Sequence, residues 1–251
     1  VISTMLQSFI AMGVISVIWI VFGFSLAFGD SLGGWIGDPR TFFMFNGVLD
    51  GPLWGTIPLA LFAMFQLKFA IISPALITGA FAERIKFKSY ILFICMFSIF
   101  IYAPLAHCTW HAEGFLFKMG VLDFAGGTVV HMSAGWAALA FALYLKGRSN
   151  AEHKPANIPF VLLGTGLLWV GWFGFNAGSA LSSGGLAVSA FATTNTASAA
   201  ASLAWVFFDS VKGKKPSALG ACIGAVVGLV AITPAAGFVT IPHSIVIGVV
   251  A

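Results

Sequence analysis

Apolar residues run along this chain in long blocks, and the polar residues gather between them. The blocks cover residues 5–28, 57–82, 89–108, 124–145, 158–180, 187–208 and 219–238, and an eighth begins near 240. A block of about 20 residues is the length of helix that crosses a hydrocarbon core about 30 Å thick. The pattern predicts an all-α fold, a polytopic helical membrane protein. The first block, within VISTMLQSFIAMGVISVIWIVFGFSLAF, has no basic leader and is too long for the core of a cleavable signal, so it is read as a span.

Composition agrees with the pattern. Of 251 residues 59% are hydrophobic and only 8% charged, too few charges to cover the surface of a soluble domain of this size. The basic residues then set an orientation. Alternate loops hold Arg84, Lys86 and Lys88, then Lys146, Arg148 and Lys154, then Lys212, Lys214 and Lys215, whereas the remaining loops hold Arg40 and Lys118. Basic loops stay on the cytoplasmic side, so the N-terminal end of the first span is expected there and the fourth block runs inward from Asp123. Cys95, Cys108 and Cys222 are spaced too widely for a disulfide framework or a zinc cluster. The chain begins at the edge of an apolar block and stops inside one, and is expected to be a fragment.

Orientation gives each polar exception a depth. Asp123 stands at the outer end of the fourth block, with His131 about 12 Å deeper at helical rise. Trp110 follows the third block, Ser179 ends the fifth, Phe175 lies one turn below Ser179 on the same face, and Phe69 falls in the outer part of the second. An indole face and a hydroxyl oxygen can hold a weakly hydrated monovalent cation, and phenyl rings beneath would strip its water. A bare charge pays several kcal/mol or more at the bilayer centre, so only an ion able to shed its proton passes an apolar path below such a site. Ammonium can do this and potassium cannot. A neutral imidazole offers one donor and one acceptor along that path.

Each of these residues has a plainer reading beside this one. His131 could hydrogen-bond a neighbouring helix, Asp123 could cap a helix start, Trp110 could belong to an interfacial aromatic belt, and two phenylalanines among 26 could simply pack. Lys68 would snorkel to the outer surface. His107 and His111, four residues apart near Cys108 and Glu113, have a spacing that would suit zinc on a helix, but a ligand set is not complete and no metal is expected.

The motifs DFAGGTVVHMSAG, GWFGFNAGSA, GAFAERIKF, PLAHCTW and FGFSLAFG, spread over essentially the whole chain, resemble the Amt/Mep/Rh ammonium transporter family, on its Amt branch. The resemblance implies an Amt-type bundle with an inverted repeat, eleven spans in a complete subunit, and a homotrimer with one pore in each subunit. It makes residues 1–251 a single, incomplete transmembrane domain, from the second span to the start of the ninth. It implies an outer substrate-binding site of Trp110, Ser179 and Phe69, supported by Asp123 and the Ala125 carbonyl, a gate of Phe69 and Phe175, and a pore lined by His131 and Trp172. The second pore histidine of the family belongs to a later span, and His243, in the short link before the last block, is not its counterpart.

The function so implied is membrane transport of ammonium or methylammonium, with no enzymatic step, no cofactor and no nucleic acid. The alternative is an ammonium sensor whose outer site binds ligand while a cytoplasmic signalling module responds. A neutral-gas channel of the Rh type fits less well with Trp110 and Ser179. Loops near 146–157 and 209–217 are where a PII-type regulator would dock by resemblance.

Overall fold

The computed structural model describes residues 2–148 and 155–251. These residues form two compact units, one of residues 2–122 with 128–148 and one of residues 123–127 with 155–251. Residues 149–154, including Lys154 and part of the expected regulator loop, lie outside the described set.

The first unit holds α1 (Ile2–Phe28), α2 (Leu59–Phe81), α3 (Phe87–Lys118) and all but the first residue of α4 (Gly127–Leu145). Three of these helices widen locally into π turns, at Trp19–Gly23, Ser98–Tyr102 and Gly127–Met132. Between α1 and α2 two antiparallel ladders, β1 (Ser31–Leu32) with β2 (Ile36–Gly37) and β3 (Leu53–Trp54) with β4 (Ile57–Pro58), fold the connection back on itself. They are small additions to the expected all-α fold. The α1–α2 contact is built on aromatic rings: Trp19 donates its indole N–H to the Ala63 carbonyl at 3.0 Å, and Phe28 meets Phe62 edge-on at 4.9 Å. Tyr90 of α3 donates to the Gln7 carbonyl of α1 at 2.7 Å.

One end of this unit is closed by arginines. Arg84, just beyond α2, donates to the Lys146 carbonyl at the end of α4 at 2.7 Å, and Arg148, beyond α4, donates to the Ala82 carbonyl at the end of α2 at 3.1 Å. Each guanidinium satisfies carbonyls that a helix C-terminus leaves without partners, where the helix dipole favours a cation. The loop residue Arg40 is instead paired with Asp38 at 2.6 Å, and the guanidinium holds that carboxyl down at about 2.

The second unit holds α5 (Ile158–Gly178), α6 (Gly185–Val211), α7 (Ala218–Ile232) and α8 (Ile241–Val250). Asn157 caps α5 by accepting from the Phe160 amide, and Ser217 caps α7 by accepting from the Gly220 amide. Gly220, Gly224 and Gly228 of α7 face α6 so closely that a Cβ on Gly224 would fall 2.8 Å from the Ala201 carbonyl oxygen, and one on Gly228 2.5 Å from that of Ala197. Ser198 and Ser202 then reach across to the Ala225 and Ala221 carbonyls at 2.9 and 3.0 Å. Small residues let two backbones approach, and hydroxyls tie them.

Among the described residues five helices are long and apolar enough to cross a membrane: α1 to α5. The sixth expected block differs. Helix α6 has 27 residues but is not among the five, and it carries Thr193, Thr194, Asn195, Thr196 and Ser198 in its middle turns. The seventh ends at Ile232 rather than 238, where Thr233 and Pro234 open a turn. Leu92, Phe100, Leu143, Phe160, Leu167 and Phe207 are each more than half exposed, a distribution that water opposes and lipid accepts.

Candidate functional site

In the first unit, Phe69 is 1% exposed and meets the indole of Trp110 edge-on, with ring centroids 5.8 Å apart at 86°. Phe65 braces Phe69 from one turn away at 4.9 Å. Within α3 the regular helix pauses after Trp110, and this turn is fastened to the β1–β2 ladder through His107. A carbonyl cannot donate, so His107 Nδ1, 3.0 Å from the Ala27 oxygen, carries the hydrogen. Nε2 is then the acceptor for the Ser31 hydroxyl at 2.8 Å. Gly34, at φ +82 and so in glycine's left-handed region, accepts from the Phe115 amide with its carbonyl and completes the clasp. Both ring nitrogens of His107 are occupied by protein groups, and His111 stacks on it at 4.4 Å while accepting the Glu113 amide. These bonds fix His107 as part of the clasp, and among the described residues no group of three metal-ligating side chains comes together. Lys68 is exposed, as snorkelling requires.

His131 also belongs to this unit and is partly buried. Helix α4 begins at Gly127, not at 124, so only about 6 Å of helical rise separates its start from His131 rather than the 12 Å expected from Asp123. The ring sits in the π turn Gly127–Met132, where an extra residue per turn rotates side chains out of α register.

In the second unit, Asp123 is 8% exposed, and its Oδ1 accepts from the Gly126 amide at 2.8 Å and the Gly127 amide at 2.6 Å. The capping role is therefore present. The sequence around it obeys tight steric demands. Gly126 has φ +109, which suits glycine, and a Cβ on Gly127 would drive into the ring of Pro234. The Phe124 amide donates to the Pro234 carbonyl at 3.0 Å, and Ala125 is buried.

Helix α5 carries the other residues. Trp172 is buried, donates its indole N–H to the Thr233 hydroxyl at 2.9 Å, and lies 5.2 Å from the Phe175 ring. Ser179 follows the last residue of α5 and donates its hydroxyl hydrogen to the Phe175 carbonyl at 2.9 Å. That hydrogen is used, so the free side of the Ser179 oxygen is an acceptor.

The structure thus joins Phe69 with Trp110 in one unit, and in the other places Trp172 and Phe175 on α5 with Ser179 directly after its end. Thr233 and Asn176 are absent from the expected set. Asn176 could have been noticed as the one amide in the apolar α5 sequence; Thr233 had no signal beyond its place next to Pro234. His243 lies in the first turn of α8 rather than in the link expected before it, and its Nδ1 is 2.9 Å from the hydroxyl of the N-cap residue Thr240.

The model of the Ammonium Transporter Family matches residues 1–251. An ammonium transporter of Aquifex aeolicus is 47% identical over 251 residues, which cover all of this chain and 59% of that protein. The crystal structure of Saccharomyces cerevisiae Mep2 superposes with a TM-score of 0.92 at 38% identity, covering 98% of this chain and 58% of that one. A protein named Sensor Amt Protein superposes with a TM-score of 0.88 at 32% identity, covering 98% of this chain and 63% of its own. The chain spans less than two thirds of the length of each of them. It is a multi-pass membrane protein, and it belongs to the ammonium transporter family.

Proposed function

We propose that the protein containing this chain transports ammonium across a cell membrane for nitrogen uptake, with residues 1–251 forming part of one transmembrane domain. In this reading Trp110 and Ser179 recruit the cation, the first through its ring face and the second through its oxygen. Phe69 and Phe175 gate the path, Asp123 and Ala125 shape the entrance, and His131 with Trp172 lines the apolar pore. Ammonium or methylammonium is the substrate, the assembly is a homotrimer, and the basic loops near 146–157 and 209–217 face the cytoplasm, where a PII-type regulator docks.

The observation that carries the reading is the edge-on contact of Phe69 with Trp110. Phe69 packs perpendicular to the indole while Trp110 stays partly exposed, and in this reading the exposed part of the ring is the platform for a cation. The test is methylammonium uptake by the full-length protein in vesicles. Trp110→Leu keeps apolar bulk but removes the ring quadrupole, and should raise the half-saturating concentration by about 2-fold to 30-fold. An unchanged concentration dependence would sink the assignment.

The second reading, an ammonium sensor, draws on the likeness to the Sensor Amt Protein. Ligand binding at the same site without flux through the full-length protein would favour it.

A further inference from the structure

Asn176 is completely buried in α5, and its amide is oriented by its partner. The Thr194 hydroxyl has one hydrogen and gives it to the Ala190 carbonyl at 2.6 Å, so toward Asn176 its oxygen can only accept. The Asn176 group 2.9 Å away must therefore be the Nδ2 donor, which removes the usual ambiguity between the two ends of an amide. Its Oδ1 is left facing the other way, buried and with no donor among the described residues. Buried acceptors are almost always paired, because an unmade hydrogen bond in a dry site is costly.

The position of this oxygen indicates what donor it awaits. Residues 172, 176 and 179 are spaced by four and three, so Trp172, Asn176 and Ser179 lie along one face of the helical path of α5. Ser179 has its hydrogen committed to Phe175 and presents an acceptor. Asn176 comes one turn before Ser179, about 4.5 Å along the axis at helical rise. Two residues that offer acceptor oxygens one turn apart, Asn176 wholly shielded from solvent, suit a permeant that carries several N–H donors and loses water as it moves.

We infer that Asn176 is a further substrate-binding residue: its Oδ1 accepts an N–H of ammonium after the ion leaves the Ser179 hydroxyl. The inference rests on the transport reading above and adds a second acceptor to it. The competing role for Asn176 is to pair α5 with α6, with an ordered water on Oδ1.

Two substitutions in the full-length protein separate these roles. Both Asn176→Leu and Thr194→Val abolish the Asn176–Thr194 bond, but only the first removes the carbonyl oxygen. Methylammonium uptake by vesicles and the melting temperature of the solubilised protein are measured on the same preparations. The expected result is a comparable fall in melting temperature for both. The half-saturating concentration should rise about tenfold or more for Asn176→Leu, the size of one lost hydrogen bond to a charged group, and stay near parental for Thr194→Val. Asn176→Ala removes the same groups with less bulk and replaces the leucine variant if that one does not assemble. Equal shifts for both positions, or parental uptake with the oxygen removed, overturn the inference alone. A parent that moves no methylammonium overturns the transport reading and this inference with it.

Discussion

At Asp123 one carboxylate oxygen serves two backbone amides, those of Gly126 and Gly127, at the point where α4 starts. Its value is local geometry: it fixes the approach of the chain to the helix that bears His131. Asp123→Asn keeps a carbonyl oxygen that can accept, whereas Asp123→Ala leaves both amides without their partner. The alanine variant should lose about 0.5–2 kcal/mol and the asparagine variant much less, read as thermal unfolding in detergent. Alanine matching the parent would remove capping from the account. Asp123, Trp110 and His131 stand out in the sequence because each is polar or amphipathic at an apolar block or its edge, and their roles at the site are those proposed for transport. The partners of His107 were not legible, since spacing alone cannot reveal that Ala27 and Ser31 use both of its ring nitrogens.

Among helices, starts were legible and sidedness was not. Blocks expected to begin at 158, 219 and 240 correspond to helices beginning at Ile158, Ala218 and Ile241, since turn-forming and capping residues interrupt the apolar runs. Which face of each helix is buried could not be read, because lipid is as apolar as a protein core and the pattern lacks a polar side to mark the exterior. Residue size carries that information instead, as in the four-residue spacing of Gly220, Gly224 and Gly228. Gly228→Val would push its side chain into the Ala197 carbonyl and the Ser198 backbone, forcing α6 and α7 apart. A loss of about 1–3 kcal/mol or more is expected from such overpacking, measured by thermal unfolding. The same substitution at Gly171, where a Cβ would meet nothing within 4 Å, should be far milder.

For the whole molecule, the uneven distribution of Lys and Arg among the loops sets the proposed orientation. In the full-length protein, Arg40→Cys should react with a membrane-impermeant thiol reagent added to intact cells, and Lys86→Cys only after permeabilisation. The reverse pattern would show the chain to be inserted the other way. The arginine clasp adds a dimension of time. Arg148 follows Ala82 by 66 residues, so the carbonyl it serves is made long before its donor exists. At about 5–20 residues per second of synthesis, α2 waits roughly 3–13 seconds for that contact, with α3 already made in between. During biogenesis the end of α2 has only the nearby Arg84, which serves the Ala80 carbonyl at 2.7 Å, and arrival of Arg148 marks the moment at which the ends of α2 and α4 can be tied together.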